Sequence, residues 1–256
     1  MKILSVDTSS KICNINLYED GKNIMYKEIK EDITHAKKLM TGIEEVLKTT
    51  NTKLEDITYF GSIVGPGSFT GIRIGVSTIK AFALALNIDI IPGTSLELLE
   101  ENAYEEQEVN DGDYILSIID ARNKEVYGSV AKTNDEYTER LNFAGNINDF
   151  IEFAKNIIEK ESKDERTKEQ KNKTNNKTKI LVVGNGKKLF EDELKDKLNN
   201  FEIIYIKDEE QRGKYLGRLM EKNIDQKVSS EKLMPIYLKP SGIKEKKAKN
   251  IESILN

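Results

Sequence analysis

Residues 65–86, GPGSFTGIRIGVSTIKAFALAL, carry more information about the fold than any other stretch of this sequence. They join a short apolar strand, Ile63-Val64, to a helix that is apolar on nearly every side. A glycine-rich turn before a helix offers backbone N–H groups to an anion. A helix with so little polar surface must be covered on more than one side. The stretch therefore raises two questions: whether the turn binds a phosphate, and what covers the helix.

The glycine turn lacks the pattern of a Walker-type phosphate loop, in which a lysine directly follows the last glycine. Isoleucine and arginine follow Gly71, and Lys80 lies more than two helical turns further on. Two interpretations remain. The N–H groups of Gly67, Ser68 and Gly71 form a weaker phosphate cradle, or the glycines permit positive φ and close packing in a tight strand-to-helix connection. The second interpretation is favoured.

The helix over 70–86 has one narrow polar stripe, formed by Arg73, Ser77 and Lys80, and a broad apolar surface. The apolar ridge comprises Ile72, Val76, Ile79, Phe82 and Leu86, and the small residues are Gly71, Gly75, Ala81 and Ala85. Small side chains let a second helix approach closely, which increases dispersion contact. Either the helix is packed inside its own lobe, or its outer face is a subunit interface. The interface is the favoured interpretation.

Composition narrows the possible chemistry. The net charge of −4 gives no general electrostatic reason to bind nucleic acid, and the basic stretch 239–249 is better interpreted as a solvated tail than as a binding patch. No apolar run is expected to span a membrane and no signal-peptide pattern is present, which predicts a cytoplasmic protein. The single cysteine, Cys13, and the single histidine, His35, exclude an internal disulfide and paired-histidine metal sites.

The order of predicted elements is β-β-β-α-β-α-β-α, and it occurs twice along the chain. In the first occurrence, residues 19–22, EDGK, predict a hairpin turn, and Asp32 or Thr34 can cap the helix that follows. The last strand of this part is predicted at Ile88–Ile91.

The strand Ile3–Asp7 is echoed by Tyr114–Asp120. This repetition predicts an α/β protein of two duplicated lobes, at 1–104 and 105–256, each with a mixed sheet flanked by helices. Residues 162–177 are charged and rich in asparagine, and a disordered insertion is favoured over a solvated helix extension.

Two aspartates occupy matching positions, since Asp7 and Asp120 each end the first strand of a lobe. Such a pair can hold Mg²⁺ and orient a nucleophile in a cleft enzyme. Alternatively, each aspartate caps its own turn through a hydrogen bond to the backbone. The sequence does not decide between these two interpretations. For His35, a surface or partly packed position is favoured over a catalytic one.

Six stretches of the sequence are specific enough to compare with a known family. They are Ile3–Ser9, His35 with Leu39, Gly65–Ala83, Pro92–Ser95, Asp120–Tyr127 and Pro235–Lys239. In these stretches the chain resembles the TsaB (YeaZ) family of bacterial proteins, which are needed to make threonylcarbamoyladenosine in tRNA. The match covers both predicted lobes, and only the insertion at 162–177 has no counterpart.

The resemblance implies two lobes of the actin, sugar kinase and heat-shock ATPase (ribonuclease H-like) type. It also implies a non-catalytic subunit of the complex that attaches a threonylcarbamoyl group to an adenosine of tRNAs reading codons that begin with adenine. The implied partners are a catalytic TsaD subunit and a TsaE-type ATPase, with tRNA reached indirectly through the complex, or a second copy of the chain when its partner is absent. No cofactor is expected on this chain alone, and ATP or ADP and a metal ion are expected through the partner subunits.

The resemblance places the partner contact on the helix near 35–47 and on the helix over 70–86. The residues expected in this contact are His35, Leu39, Ile43, Ile72, Gly75, Val76, Ile79, Phe82 and Ala83. The candidate nucleotide or interface contacts are Asp7, Gly67, Ser68, Arg73 and Lys80.

One departure bears on catalysis. TsaD-like proteins carry a metal-binding histidine pair in the region that corresponds to 88–97, where this chain has no histidine, so a TsaD-type metal centre is not expected. The alternative is an independent enzyme of the same fold, either an ATP-dependent phosphotransferase using Asp7, Asp120 and the glycine turn, or a glycoprotease-like hydrolase. The hydrolase is disfavoured because the chain also lacks a Gly-x-Ser-x-Gly nucleophile elbow.

Overall fold

A computed structural model describes residues 1–30, 35–133, 139–168, 178–206 and 212–238, except for the side chains of 35–37, 139 and 161–168. The chain divides into two compact units. The first lobe is Met1–Asn102 with Glu210–Tyr237, and the second lobe is Ala103–Glu209 with Leu238–Asn256. The predicted division at 104/105 lies close to the first crossing of the chain. Its assignment of all later residues to the second lobe is wrong, because 210–237 returns to the first.

The elements of the first lobe follow the predicted order. They are β1 (Lys2–Asp7), β2 (Ile12–Glu19), β3 (Lys22–Lys30), α1 (His35–Thr49), β4 (Tyr59–Ile63), α2 (Phe69–Leu86), β5 (Ile90–Gly93) and α3 (Ser95–Glu106). The helix that returns from the end of the chain is α6 (Gly213–Lys222). Its apolar side chains Tyr215, Leu216, Leu219 and Met220 are buried in a cluster with Ile3 and Tyr18. This apolar contact is the physical reason why α6 belongs to the first lobe.

The sheet of the first lobe has the strand order β3-β2-β1-β4-β5. The strands β1, β2 and β3 pair antiparallel, and β4 and β5 continue from β1 in parallel. Asp20-Gly21 makes the predicted hairpin turn, where both residues have positive φ. The helices α1 and α2 cover the face that carries Val6 and Ile15, since Gly75 approaches Val6 and Gly42 approaches Ile15. The helix α6 covers the opposite face.

The second lobe repeats this plan. Its elements are β6 (Tyr114–Arg122), β7 (Glu125–Lys132), β8 (Glu139–Asn146), α4 (Ile147–Lys168), β9 (Lys179–Val183), α5 (Glu191–Lys197) and β10 (Glu202–Tyr205). The sheet order β8-β7-β6-β9-β10 matches that of the first lobe strand for strand. The predicted duplication is confirmed, as is the α/β class: each lobe has a mixed five-stranded sheet flanked by helices.

The charged insertion at 162–177 is partly helical. The helix α4 continues to Lys168, so the prediction of disorder is wrong for 162–168. The alternative prediction, an extension of the helix, is confirmed for these residues. Buried apolar side chains earlier in α4, among them Phe150, Ile151 and Ile158, anchor the helix that these residues extend. Residues 169–177 lie outside the described part of the chain, as do the basic stretch 239–249 and the predicted α1 caps Asp32 and Thr34.

By length and composition alone, α2 is apolar enough to cross a membrane, so the expectation that no such run exists is wrong. The core helix of a soluble protein passes the same test. In the structure Ile72, Val76 and Ile79 are at most 2% exposed, and α2 packs on β1, β4 and β5. We therefore describe α2 as a flanking helix of the first sheet.

Candidate protein-contact surface

The glycines at the start of α2 allow the helix to approach the turn after β1. A Cβ atom on Gly71 would collide with the carbonyl oxygen of Thr8, and one on Gly75 would collide with the Thr8 hydroxyl. The same hydroxyl donates a hydrogen bond to the Gly71 carbonyl oxygen over 2.7 Å. Gly65 and Gly67 have φ values of +127° and +156°. The interpretation of the turn as a tight, closely packed strand-to-helix connection is confirmed.

The same turn does not fit a phosphate cradle. The N–H of Ser68 donates to the carbonyl oxygen of Ser9 over 2.7 Å, and the N–H of Gly71 donates to the Ser68 side chain over 3.2 Å. The Ser9 carbonyl oxygen is also the atom nearest to a Cβ built on Gly67. A carbonyl oxygen carries partial negative charge and repels an anion at this position. The arrangement therefore does not support Gly67 and Ser68 as phosphate contacts.

The two strand-end aspartates have matching hydrogen bonds. A side-chain oxygen of Asp7 accepts from the N–H of Ser9 over 2.8 Å, and one of Asp120 accepts from the N–H of Arg122 over 2.8 Å. Each contact spans two residues, which is the geometry by which an aspartate closes its own turn. The turn-capping interpretation is confirmed for both residues.

Most of the predicted interface residues lie in the core of the first lobe. Leu39, Ile43, Ile72, Val76, Ile79 and Ala83 are at most 2% exposed, and Gly75 is buried against Thr8. Phe82 is half-buried, and its ring lies 5.9 Å from that of Phe60 in β4. Assigning the fully buried side chains to a partner is therefore wrong, because the lobe itself already covers them. For Phe82 the partner contact stays a prediction. The backbone of His35 begins α1, but its side chain lies outside the described part of the chain.

The outer face of α2 is exposed and only weakly polar. Ser77, Ala81 and Ala85 lie one helical turn apart on this face. Leu84, beside them on the helix, is 70% exposed, and Phe69 at the start of the helix is 53% exposed. Small side chains in a row leave a shallow groove into which another helix can pack. We call this face, with these five residues, the α2 outer face.

An extended segment, 233–237, lies along α2 and forms hydrogen bonds with its polar stripe. The Nε of Arg73 donates to the Tyr237 hydroxyl over 2.8 Å, and the Nζ of Lys80 donates to the Leu233 carbonyl oxygen over 3.0 Å. The guanidinium of Arg73 lies 3.7 Å from the Phe69 ring centroid, which is a cation–π contact. Arg73 and Lys80 are thus engaged with the protein itself. Their use as nucleotide contacts stays a prediction.

The α2 residues that the sequence analysis assigned to a partner contact lie mostly on the face that packs on the sheet, and the exposed face of the helix is a different one. A usable signal was present: the β-branched residues Ile72, Val76 and Ile79 fit a pleated sheet, whereas the row of alanines leaves room for a helix. Tyr237 and Met234 were not predicted from the sequence as exposed residues near α2, where they are 44% and 65% exposed. No local pattern in the sequence indicates that 233–237 would lie against α2.

The comparisons with known proteins agree with this fold. The family model for TsaD, tRNA N6-adenosine threonylcarbamoyltransferase, matches residues 30–246. The Escherichia coli tRNA threonylcarbamoyladenosine biosynthesis protein TsaB is 32% identical over 127 residues, which are 50% of this chain and 53% of that protein. The Bacillus subtilis TsaB protein is 30% identical over 141 residues, or 55% of this chain and 59% of that protein. The chain thus spans between half and three-fifths of the length of these curated relatives.

A solved structure from Pseudomonas aeruginosa, described as an uncharacterized protein with similarity to peptidase YEAZ, shares the fold. It covers 93% of this chain and 99% of its own, with a TM-score of 0.69 and 18% identity. Since the family model covers most of the chain, the chain belongs to the TsaD family. The names of its curated relatives confirm the resemblance to TsaB (YeaZ) proteins within that family.

Proposed function

We propose that this chain takes part in the biosynthesis of threonylcarbamoyladenosine in tRNA as a non-catalytic subunit, and that its α2 outer face binds a TsaD-type catalytic subunit. The pathway is supported by the names of the TsaB relatives, and the partner by the match to the TsaD family model. The choice of surface rests on one observation: large apolar side chains are exposed on the α2 outer face beside a row of small residues.

The α2 outer face suits a permanent protein contact. Leu84 and Phe69 offer large apolar side chains, and the row Ser77, Ala81 and Ala85 offers space between them. A partner helix placed in this row would remove Leu84 from water, which contributes about 2 kcal/mol. The aromatic ring of Tyr237 and the charge of Arg73 border the same face, and both residue types are enriched where interfaces bind most strongly.

The non-catalytic part of the proposal is supported by the two strand-end aspartates and the glycine turn. Asp7 and Asp120 close their own turns, and the carbonyl oxygen of Ser9 lies against Gly67, where it would repel an anion. In the proposed complex, ATP or ADP and a metal ion are held through the partner subunits, TsaE-type ATPase and tRNA join through the assembly, and the location is the cytoplasm.

The test is titration calorimetry of this chain against its TsaD-type partner. Leu84→Glu should weaken binding at least about tenfold, because a carboxylate buried without a counter-ion is strongly unfavourable. Leu189→Glu is the matched control, since Leu189 is 60% exposed in the second lobe. Both variants should fold like the wild type, because neither leucine is part of a core.

Three outcomes contradict parts of the proposal. Unchanged binding by Leu84→Glu overturns the α2 outer face as the contact. If Leu84→Glu separates two copies of this chain on a sizing column but leaves TsaD binding unchanged, the face serves self-association instead. Threonylcarbamoyl transfer to tRNA by this chain alone refutes the non-catalytic role.

A further inference from the structure

A row of polar side chains crosses three strands of the first sheet on the face that α6 covers. Asp7 in β1 pairs with Asn14 in β2, and Asn14 pairs with Glu28 in β3. Side chains at directly paired positions point to the same face of a sheet, about 5 Å apart. Two residues earlier in β1, Ser5 pairs with Asn16 of β2 on the same face of the sheet. Two carboxylates and two amides therefore lie beneath the start of α6.

This polar row is rich in oxygen acceptors and closed to solvent at its centre. Asp7, Asn14 and Asn16 are each 0% exposed. The Nδ2 atom of Asn14 donates to Asp7 Oδ2 over 3.3 Å. The side-chain oxygens of Asn14 and Asn16 accept no hydrogen bond within the described residues. Oxygen atoms concentrated around a buried carboxylate make the site electrostatically negative, and a buried carboxylate needs a positive charge nearby.

Arg212 brings such a group to the row. It directly precedes α6 and is 6% exposed. The next residue is fixed to the row from both sides: Asn16 donates to the Gly213 carbonyl oxygen over 2.9 Å, and the Gly213 N–H donates to Glu28 over 3.2 Å. Burial lowers the pKa of Arg212, and the negative charge of Asp7 opposes that shift. A guanidinium remains protonated in proteins, so its charge is buried beside Asp7.

A divalent cation does not fit this carboxylate as it stands. Kinases and ATPases use Mg²⁺ with the nucleotide phosphates, and Mg²⁺ keeps several waters when it binds a carboxylate. Asp7 has no exposed surface for a hydrated ion, one of its oxygens closes the turn at Ser9, and the other bonds to Asn14. A second positive charge would also be repelled by Arg212.

We propose that Arg212 is the built-in cation of this site: its guanidinium occupies the place beside Asp7 that a divalent cation would need, so the first lobe neutralises its strand-end carboxylate without a metal. The inference does not depend on a partner subunit, because all of its residues lie in the first lobe.

Manganese binding to the isolated chain, followed by electron paramagnetic resonance of free Mn²⁺, tests the inference. Wild-type protein should bind no Mn²⁺ through Asp7. Arg212→Ala should bind Mn²⁺ at least about tenfold more tightly than wild type, and Asp7→Asn with Arg212→Ala should abolish the gain. Wild-type binding that is lost in Asp7→Asn overturns the inference, as does an Arg212→Ala protein that folds and gains no binding.

A double-mutant cycle keeps the inference testable if Arg212→Ala does not fold. Arg212→Met leaves Asp7 without its counter-ion, and Asp7→Asn leaves the guanidinium without its carboxylate. The folding equilibrium constant of the double variant should be at least about tenfold larger than the value obtained by multiplying the wild-type constant by the factors by which the two single substitutions change it. Arg218→Met is the matched control, because Arg218 lies in α6, the helix that directly follows Arg212, but pairs with Glu101. Additive effects for Asp7→Asn with Arg212→Met overturn the inference.

Discussion

The close approach of Thr8 to α2 predicts an unusual response to the substitution Gly75→Ala. Alanine is normally better than glycine inside a helix by about 1 kcal/mol. Here a Cβ atom on residue 75 would collide with the Thr8 hydroxyl, whereas the Thr8 Cβ and the Val6 Cγ2 lie at a comfortable 3.6 Å. A single oxygen atom therefore decides whether the substitution stabilises or destabilises the first lobe.

The expected magnitude follows from three contributions. Overpacking a buried contact costs about 1–3 kcal/mol, and the severe overlap with the Thr8 hydroxyl places Gly75→Ala in the upper part of that range, at about 2–3 kcal/mol. After the helix-propensity gain of about 1 kcal/mol is subtracted, Gly75→Ala should destabilise wild type by about 1–2 kcal/mol. Thr8→Ala removes the hydroxyl and its 2.7 Å hydrogen bond to Gly71, a loss of about 1 kcal/mol. In the Thr8→Ala background, Gly75→Ala should instead stabilise by up to about 1 kcal/mol. The coupling between the two sites is then about 2–3 kcal/mol.

Urea unfolding of the four proteins, followed by far-UV circular dichroism, measures this coupling. An equal effect of Gly75→Ala in both backgrounds would refute the reasoning. Gly71→Ala provides a sharp contrast, because the obstacle at that position is the Thr8 backbone carbonyl oxygen rather than its side chain. Thr8→Ala should therefore give Gly71→Ala no relief, and both backgrounds should be destabilised to the same extent.

Two further predictions concern single residues. Burial, with the charge of Asp7 as a second cause, raises the pKa of the Cys13 thiol from 9.0 to about 12. The thiol of the unfolded chain ionises at a lower pH than the buried thiol, so the stability that comes from keeping Cys13 protonated is complete below pH 9 and is lost as the pH rises towards 12. Between about pH 8 and pH 11, the unfolding free energy of wild type in urea should fall by about 2–3 kcal/mol more than that of Cys13→Ala. Equal losses in the two proteins would contradict this prediction. At the start of α3, the Thr94 side chain accepts from the Glu97 N–H over 3.2 Å while the Glu97 side chain accepts from the Thr94 N–H over 2.6 Å. Thr94→Ala should therefore lower the unfolding free energy by about 1 kcal/mol, and an unchanged value would show that this cap does not hold the helix.

Local sequence signals predicted the elements of both lobes and their duplication. The Asp20-Gly21 turn between alternating strands indicates a hairpin, and the repeated element order indicates two similar sheets. The predicted ends of helices and strands were less accurate where a helix cap or a turn contains apolar residues that also suit a strand. Asn87 ends α2 in a left-handed conformation and the Ile88 N–H bonds back to Ala83, so β5 begins at Ile90 rather than at Ile88.

The face of α2 could not be settled by apolarity alone. Ile72, Val76 and Ile79 form the more apolar ridge, and the sequence reasoning placed them at a partner interface. The sheet of the first lobe lies next to α2 in the same chain, so the apolar ridge packs on the sheet whether or not a partner is bound. The surface of α2 that stays exposed is the less apolar row of small residues around Ala81.

The surroundings of Asp7 show what a local reading of the sequence cannot supply. The residues next to Asp7 are compatible both with a turn cap and with a Mg²⁺ ligand, and nothing nearby decides between them. The deciding group, Arg212, lies in a segment that returns to the first sheet across a sequence separation of 197 residues between Asn16 and Gly213. That return depends on the apolar face of α6, which buries Leu216 and Met220. The chemistry of the strand-end carboxylate is thus set by a packing contact, because the hydrophobic face of α6 places a buried positive charge where a metal ion would otherwise be needed.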